Sequence, residues 1–285
     1  MRIGFFTAGS VGAGHLVRGV ALERALRRVG FGGEYRMFGP VLPFAVAARL
    51  GYETVPLEEG LLRDAVRAPE SALARVLSRF QPDVLLVDLF WAPLHHLLPH
   101  LRCEAWLLVR CCPRAWFGGP PDTRWDPARF ARIIGIEPLP HAAIRERVEP
   151  VVVCNPEECR PPGALRAHLE VPPGQPLVVA MHAGLPGEMA ALAKAGGHGV
   201  VTCDLYTESA LFPVAEWLRD ADGVFAGAGY NSFWEARWLG WFERTVFTPF
   251  PRAIDNQGWR LATCSTYRMQ QNGADTLARW LTSGR

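Results

Sequence analysis

Along the chain, short apolar runs alternate with longer stretches in which apolar residues recur every three or four positions. Residues 3–8 form a largely apolar run, the pattern of a buried strand. Beyond the glycine-rich residues 9–14, Leu16, Val20, Leu26 and Val29 fall on one helical face. Glu23, Arg24, Arg27 and Arg28 lie opposite, and Gly30 supplies a stop. The alternation continues with strands expected at 34–38, 53–56, 83–89 and 105–109, and helices at 42–50, 61–80 and 94–101. Residues 112–130, with their prolines, paired glycines, Trp116 and Trp125, read as a long functional loop or lid. Strands at 133–136 and 151–153 follow, and the Pro-rich stretch 155–163 reads as a linker. A second series has strands at 177–181, 199–203, 223–226 and 245–250, with helices at 188–195, 213–220, 232–239 and 274–281. Strands and helices at this spacing predict βαβ units and parallel sheets. The expected fold is α/β, with two Rossmann-like domains facing a cleft, residues 1–154 and 155–285. The last helix is free to pack back on the first domain.

Length and composition fit this picture. A chain of 285 residues, 49% apolar and 20% charged, has room for two ordinary cores. A formal charge of +2 without a Lys/Arg run offers no electrostatic footprint for nucleic acid. The opening MRIGFFTAGS reads as a first strand, not a signal peptide. No apolar stretch reaches the roughly 18 residues that a membrane span needs, so the expectation is a cytoplasmic protein with at most peripheral membrane contact. Neither the vicinal Cys111-Cys112 nor the Cys154/Cys159 pair has zinc-ligand spacing, which points to reduced thiols and no metal.

Candidate chemistry concentrates in two glycine loops. Gly227-Ala228-Gly229 separates an apolar run from a helix. Glu235 and the cluster Asp255-Asn256-Gln257 project at the carboxyl ends of predicted strands, where ligands of open α/β sheets sit. Ser232 to Glu235 also fits a capping box, and Asp255-Asn256 an ordinary turn. Near the N-terminus, Gly12 and Gly14 stand between a strand and a helix start, an anion-binding arrangement. His15 follows, and an imidazole of near-neutral pKa suits proton transfer. Asp88 ends an apolar strand at the same sheet edge, where it either fixes the imidazole tautomer or merely terminates its strand. His95, His96 and His100 share one short predicted helix and read as a solvated or acceptor-side face.

Gly227, Gly229, Asn231, Ser232, Glu235, Ala236 and Gly240, continued by Pro249, Phe250, Pro251, Arg252, Asp255, Gln257 and Ala262, carry a resemblance. The run resembles the C-terminal half of the glycosyltransferase-B (GT-B) superfamily. It is closest to the family-28 group of lipid-linked peptidoglycan N-acetylglucosaminyltransferases and to related nucleotide-sugar hydrolases. The stretch Gly12-Ala13-Gly14-His15-Leu16-Val17-Arg18 is similar to the G-x-G-H-x-x-R loop of the same superfamily. The resemblance implies that Glu235 grips the ribose hydroxyls and that Asp255 and Gln257 hold the sugar. It places Gly12, Gly14, Arg18, Gly229, Asn231 and Ser232 against the donor, with His182 and Gly184 in the diphosphate loop. Phe212 and Val214 would meet the base, and Arg252 a phosphate. His15 would be the base of an inverting transfer, with Asp88 behind it. The implied donor is a nucleoside-diphosphate sugar, UDP-type favoured over dTDP-type, with no cofactor, no metal and an unnamed acceptor. Two rivals stay open. In a nucleotide-sugar hydrolase, whose loop the N-terminal motif also resembles, water replaces the acceptor. The unusual Gly240 to Arg244 segment, where relatives read Gly-x-Pro, leaves room for a nucleotide-sugar-binding helper without activity.

Overall fold

The computed structural model describes residues 1–9, 12–119, 123–138, 141–185, 187–197, 199–203, 205 and 211–283, whose strands pair into two wholly parallel sheets. The first contains β1 (Arg2–Phe6), β2 (Glu34–Gly39), β3 (Tyr52–Thr54), β4 (Val84–Asp88), β5 (Glu104–Val109), β6 (Arg132–Gly135) and β7 (Glu146–Arg147). Their spatial order is β3-β2-β1-β4-β5-β6-β7. The second, in the order β11-β10-β8-β9, contains β8 (Val178–Met181), β9 (Val200–Cys203), β10 (Gly223–Gly227) and β11 (Thr245–Thr248). Strand order reverses between β1 and β4 in one sheet and between β8 and β10 in the other. At such points the following loops diverge to opposite faces and leave a crevice at the carboxyl ends. The loops after β1 and β4, and after β8 and β10, therefore hold the candidate site.

Several expected helices are shorter or absent, and an interior proline explains two of them. The stretch 61–80 is not one helix. It splits into a turn of α-helix, Glu59–Leu62, a 3-10 turn, Ala68–Glu70, and the helix Ala72–Phe80. Pro69 has no N–H to continue a helix, and Ser71 starts a new one, its hydroxyl accepting from Ala74 N at 3.2 Å. The stretch 94–101 is likewise replaced by the 3-10 turns Ala92–Leu94 and Leu98–His100, which contain Pro93 and Pro99. Two more 3-10 turns, Val214–Glu216 and Leu218–Asp220, follow Pro213 in place of a helix at 213–220. The helix expected at 42–50 shrinks to Val46–Arg49.

Residues 151–153 are buried but form no strand. The N–H groups of Val151 and Val152 go to side chains of the second half. Val151 donates to Tyr230 Oη at 2.7 Å and Val152 to Asn272 Oδ1 at 3.2 Å. The apolar core crosses the two halves as well. Leu16, Val20 and Leu26 of the helix Gly14–Arg28 share one buried cluster with Phe233, Trp234 and with Ala274, Leu277, Ala278 and Leu281 of the final helix, Gly273–Thr282. Arg28 adds ion pairs to Asp275 and Glu158. Among the described residues no helix is long and apolar enough to cross a membrane, and all seven cysteines are free. Residues 10–11 of the first glycine loop and 120–122 of the expected lid lie outside the described residues.

Candidate functional site

A cleft of about 600 Å³ opens where the two reversal points face each other. Every residue expected to contact a donor lines it, and so does His15. Gly184, Phe212, Val214, Gly229 and Ser232 form parts of its wall. Asp88, 0% exposed, lies behind the wall.

Parallel pairing of β1 with β4 brings the loop after β1 beside Asp88. His15 and Arg18, three residues apart on one helix face, both converge on that carboxylate. His15 Nδ1 lies 2.6 Å from Asp88 Oδ2. Arg18 donates Nε to both oxygens at 3.1 Å and Nη2 to Oδ2 at 2.8 Å. Burial alone would raise the pKa of Asp88, but Arg18 and His15 hold it well below the ordinary carboxylate range. Burial dominates His15, lowering its pKa to about 4 against the upward pull of Asp88, with Arg18 and Arg110 lowering it further. The ring is therefore neutral at pH 7. With Nδ1–H donated to Asp88, Nε2 carries the lone pair. Gly9 packs against that edge so closely that a Cβ there would collide with Cδ2 and Nε2 of His15. Phe90 covers the ring with centroids 5.0 Å apart.

The resemblance places Arg18 on the donor, but here its guanidinium is turned onto Asp88, with Nη1 reaching Asn231 Oδ1 at 3.4 Å. Asn231 Nδ2 in turn donates to Gly14 O at 3.1 Å. These two side chains tie the glycine loops of the two halves together across the cleft.

Glu235 is different. The helix Tyr230–Leu239 is preceded by Gly229 as N-cap, so Ser232 is already its third residue and no capping box forms. Glu235 is 4% exposed, and its Oε1 is buried without a hydrogen-bond partner among the described residues. Burial pushes its pKa up to about 8. An orphaned buried acceptor costs about 1–3 kcal/mol unless something donates to it.

The other expected contacts are engaged by protein groups. Glu188, first residue of the helix Glu188–Gly196, takes His182 Nε2 at 2.7 Å and Leu185 N at 2.7 Å on Oε2. Arg252 donates to both of its oxygens, Nη1 to Oε1 at 2.7 Å. Burial opposes ionisation of Glu188, yet the bonds from Arg252 and His182 bring its pKa down to about 2. His182 is lowered by burial, against Glu188. Arg252, expected to offer a free charge to phosphate, is thus already ion-paired. Asp255 Oδ1 accepts from Arg260 Nη2 at 2.7 Å and pairs with Arg110 Nη1 at 3.0 Å. Gln257 Oε1 accepts from Phe250 N at 2.8 Å, and its Nε2 lies 3.4 Å from Asp255 Oδ2. Both side chains expected on the sugar are held in place by the protein itself.

A scan against family models and a search of curated proteins each found no match. Solved structures do match. A glycosyltransferase from Streptomyces sp. SF2575 aligns over 99% of this chain and 95% of its own, at 17% identity and a TM-score of 0.53. A spinosyn rhamnosyltransferase complexed with thymidine diphosphate covers 99% and 95%, at 15% identity and a TM-score of 0.51. Sucrose-phosphate synthase from Thermosynechococcus elongatus covers 99% and 98%, at 12% identity and a TM-score of 0.52. The fold is GT-B.

Three charged residues, Arg110 in the cleft wall and Glu137 and Arg260 buried outside its lining, escape sequence reasoning. Glu137, wholly buried in its side chain, accepts from Trp234 Nε1 at 2.8 Å and Cys111 N at 2.7 Å. It also accepts from Arg260 Nε at 2.7 Å, and Arg260 Nη1 donates to Ala228 O at 2.9 Å. Together Glu137, Arg260, Asp255 and Arg110 form a buried ionic chain from one half to the other. Arg110 follows the apolar run of β5, and Glu137 comes shortly after β6. A polar residue just past a buried strand is the same signal that marked Asp88, and it was available for both.

Proposed function

We propose that the protein is a glycosyltransferase that moves a hexosyl or N-acetylhexosaminyl group from a nucleoside-diphosphate sugar to an acceptor hydroxyl, with inversion and without a metal ion. The observation that carries this reading is one cleft with two complementary walls. On one wall is a neutral imidazole backed by a buried carboxylate, and on the other a buried carboxylate oxygen without a partner. His15 Nε2 takes the acceptor proton while the acceptor oxygen attacks the anomeric carbon and the bond to diphosphate breaks on the opposite face. Asp88 holds Nδ1–H and stabilises the imidazolium that forms. Glu235 receives the ribose hydroxyls. N–H groups of the glycine loops, with Arg252 and His182 at the same wall, meet the departing diphosphate. Structures of this fold with thymidine diphosphate bound support a nucleotide in this cleft. The family-28 resemblance favours uridine, and calorimetry with UDP and TDP decides between the bases. Product analysis tests the reaction: a glycosylated acceptor is expected, and free sugar alone would make the protein a hydrolase.

Glu235→Ala is expected to weaken nucleoside-diphosphate binding by roughly tenfold to a hundredfold, since charge-assisted hydrogen bonds contribute about 1.5–3 kcal/mol. With a pKa near 8, Glu235 is mostly protonated at neutral pH in the free protein, whereas the ribose diol donates best to the ionised form. Affinity should therefore rise as pH increases towards 8 and become flat in Glu235→Gln. A folded Glu235→Ala variant with wild-type affinity would remove Glu235 from the site.

The D-x-D pair of this chain, Asp220-Ala221-Asp222, does not line the cleft: Asp220 accepts from Gly163 N and Leu165 N, and Asp222 from Leu177 N and Arg166. Turnover should accordingly persist in excess chelator. Activity that chelator abolishes and magnesium or manganese restores would contradict the metal-free reading.

A further inference from the structure

Arg110 holds a donor that no group among the described residues accepts. It follows β5 at the carboxyl edge of the first sheet, lines the cleft and is 6% exposed. Nη1 is engaged by Asp255 Oδ1 at 3.0 Å and Ile254 O at 3.3 Å, but Nε is buried with no hydrogen-bond partner. Buried donors are nearly always satisfied, so an orphan at a cleft wall points to an oxygen supplied by a ligand.

Charge balance indicates which kind of oxygen. Three guanidinium groups, Arg18, Arg110 and Arg260, are buried around this point, and each faces a carboxylate. Arg18 pairs with Asp88, Arg110 with Asp255, and Arg260 with Glu137 and Asp255. His15, beside them, is neutral. A further anion would enter a buried site in which every nearby cation is already paired, and its desolvation would go uncompensated. A hydroxyl or amide oxygen could accept Nε–H without disturbing the balance. Arg110 also pairs with Asp255, expected on the sugar, and lines the same cleft as His15, expected at the acceptor oxygen. That is where the transferred group would lie.

We infer that Arg110 is a specificity-determining residue whose Nε–H is reserved for an uncharged oxygen of the transferred sugar, so that the donor carries a neutral sugar and not a uronic acid. The inference rests on the donor reading above. Calorimetry on the full chain tests it with UDP, UDP-glucose and UDP-glucuronate, and with TDP and TDP-glucose. Wild-type protein should bind the glucose conjugate at least as tightly as the bare diphosphate and the glucuronate at least about tenfold more weakly. Arg110→Lys keeps a cation for Asp255 but loses the Nε donor. It should bind bare diphosphate as wild type does and lose about tenfold for the glucose conjugate. Equal wild-type affinity for glucose and glucuronate conjugates would overturn the inference, whether or not the variant folds. So would a variant that loses bare diphosphate and conjugate alike, since Arg110 would then be structural only. If wild type binds no nucleotide at all, the donor reading itself fails, and this inference with it.

Discussion

His15→Ala should lower kcat by about 10²–10⁴-fold, the usual contribution of a general base, while affinity for the nucleoside diphosphate barely changes. The ring touches Asp88 and Gly9 in its own half, whereas the orphaned Glu235 oxygen belongs to the other. Proton acceptance requires neutral imidazole. With the pKa lowered to about 4, the base is competent through the whole neutral range. The acid limb of kcat should therefore fall well below pH 6.5, the value of an unperturbed histidine. Gly9→Ala offers a second route to the same loss. Its Cβ would displace a ring that Asp88 holds, leaving the titrating group present but misplaced. Asp88→Asn should also reduce kcat, by less than His15→Ala, but it is a poorer probe because Arg18 then lies buried without its anion. Wild-type turnover in His15→Ala together with weakened donor binding would make His15 a phosphate contact.

Glu137→Ala should be the most destabilising of the simple substitutions, by about 3–5 kcal/mol. It leaves Arg260, 0% exposed, sharing only Asp255 with Arg110, and orphans Trp234 Nε1 and Cys111 N. Breaking a buried pair from one side strands a charge, which is why the loss exceeds that of any surface contact. Glu59→Ala makes the comparison, since it removes an exposed pair with Arg63 one helical turn away. There the change should stay within about 0.5 kcal/mol. Denaturant titration of both variants against wild type checks this. A Glu137→Ala loss no larger than that of Glu59→Ala would show that the buried chain contributes nothing net.

Much of the fold was legible because parallel strands buried on both faces read as plain apolar runs, β4 most clearly. The glycine loops were legible for a related reason: tight strand-to-helix turns leave few residue choices. Apolar periodicity runs on through Pro69 and Pro99, where proline, lacking an N–H, interrupts the expected helices 61–80 and 94–101. Residues 151–153 have the β-branched composition of a strand, but side chains 79 and 120 positions away take the N–H groups of Val151 and Val152. In the site, the motif located residues without revealing their partners. Asp255 has a local partner in Arg260, five residues on, but Arg18 and Arg252 read as ligand contacts because nothing local assigns them a counter-ion. Their partners lie elsewhere in the sequence: Asp88 is 70 residues from Arg18, and Glu188 is 64 from Arg252. Asp255 is claimed by Arg110 and by Arg260, itself tied to Glu137 from 123 residues away. Only the folded topology brings such pairs together.

The shared cluster of the first and last helices also bears on the order in which the chain can fold as it is synthesised. Leu16, Val20 and Leu26 find part of their cover in the helix Gly273–Thr282, with Asn272 fastening that helix to Val152 through paired bonds of 3.0 and 3.2 Å. On a ribosome, the seven-stranded half would emerge long before those residues exist. Its first helix would wait with an uncovered apolar stripe through the synthesis of the whole second sheet. Nascent chains usually fold domain by domain from the N-terminus. Here the first-made half is sealed by the last helix described, and chaperone dependence would concentrate in that interval.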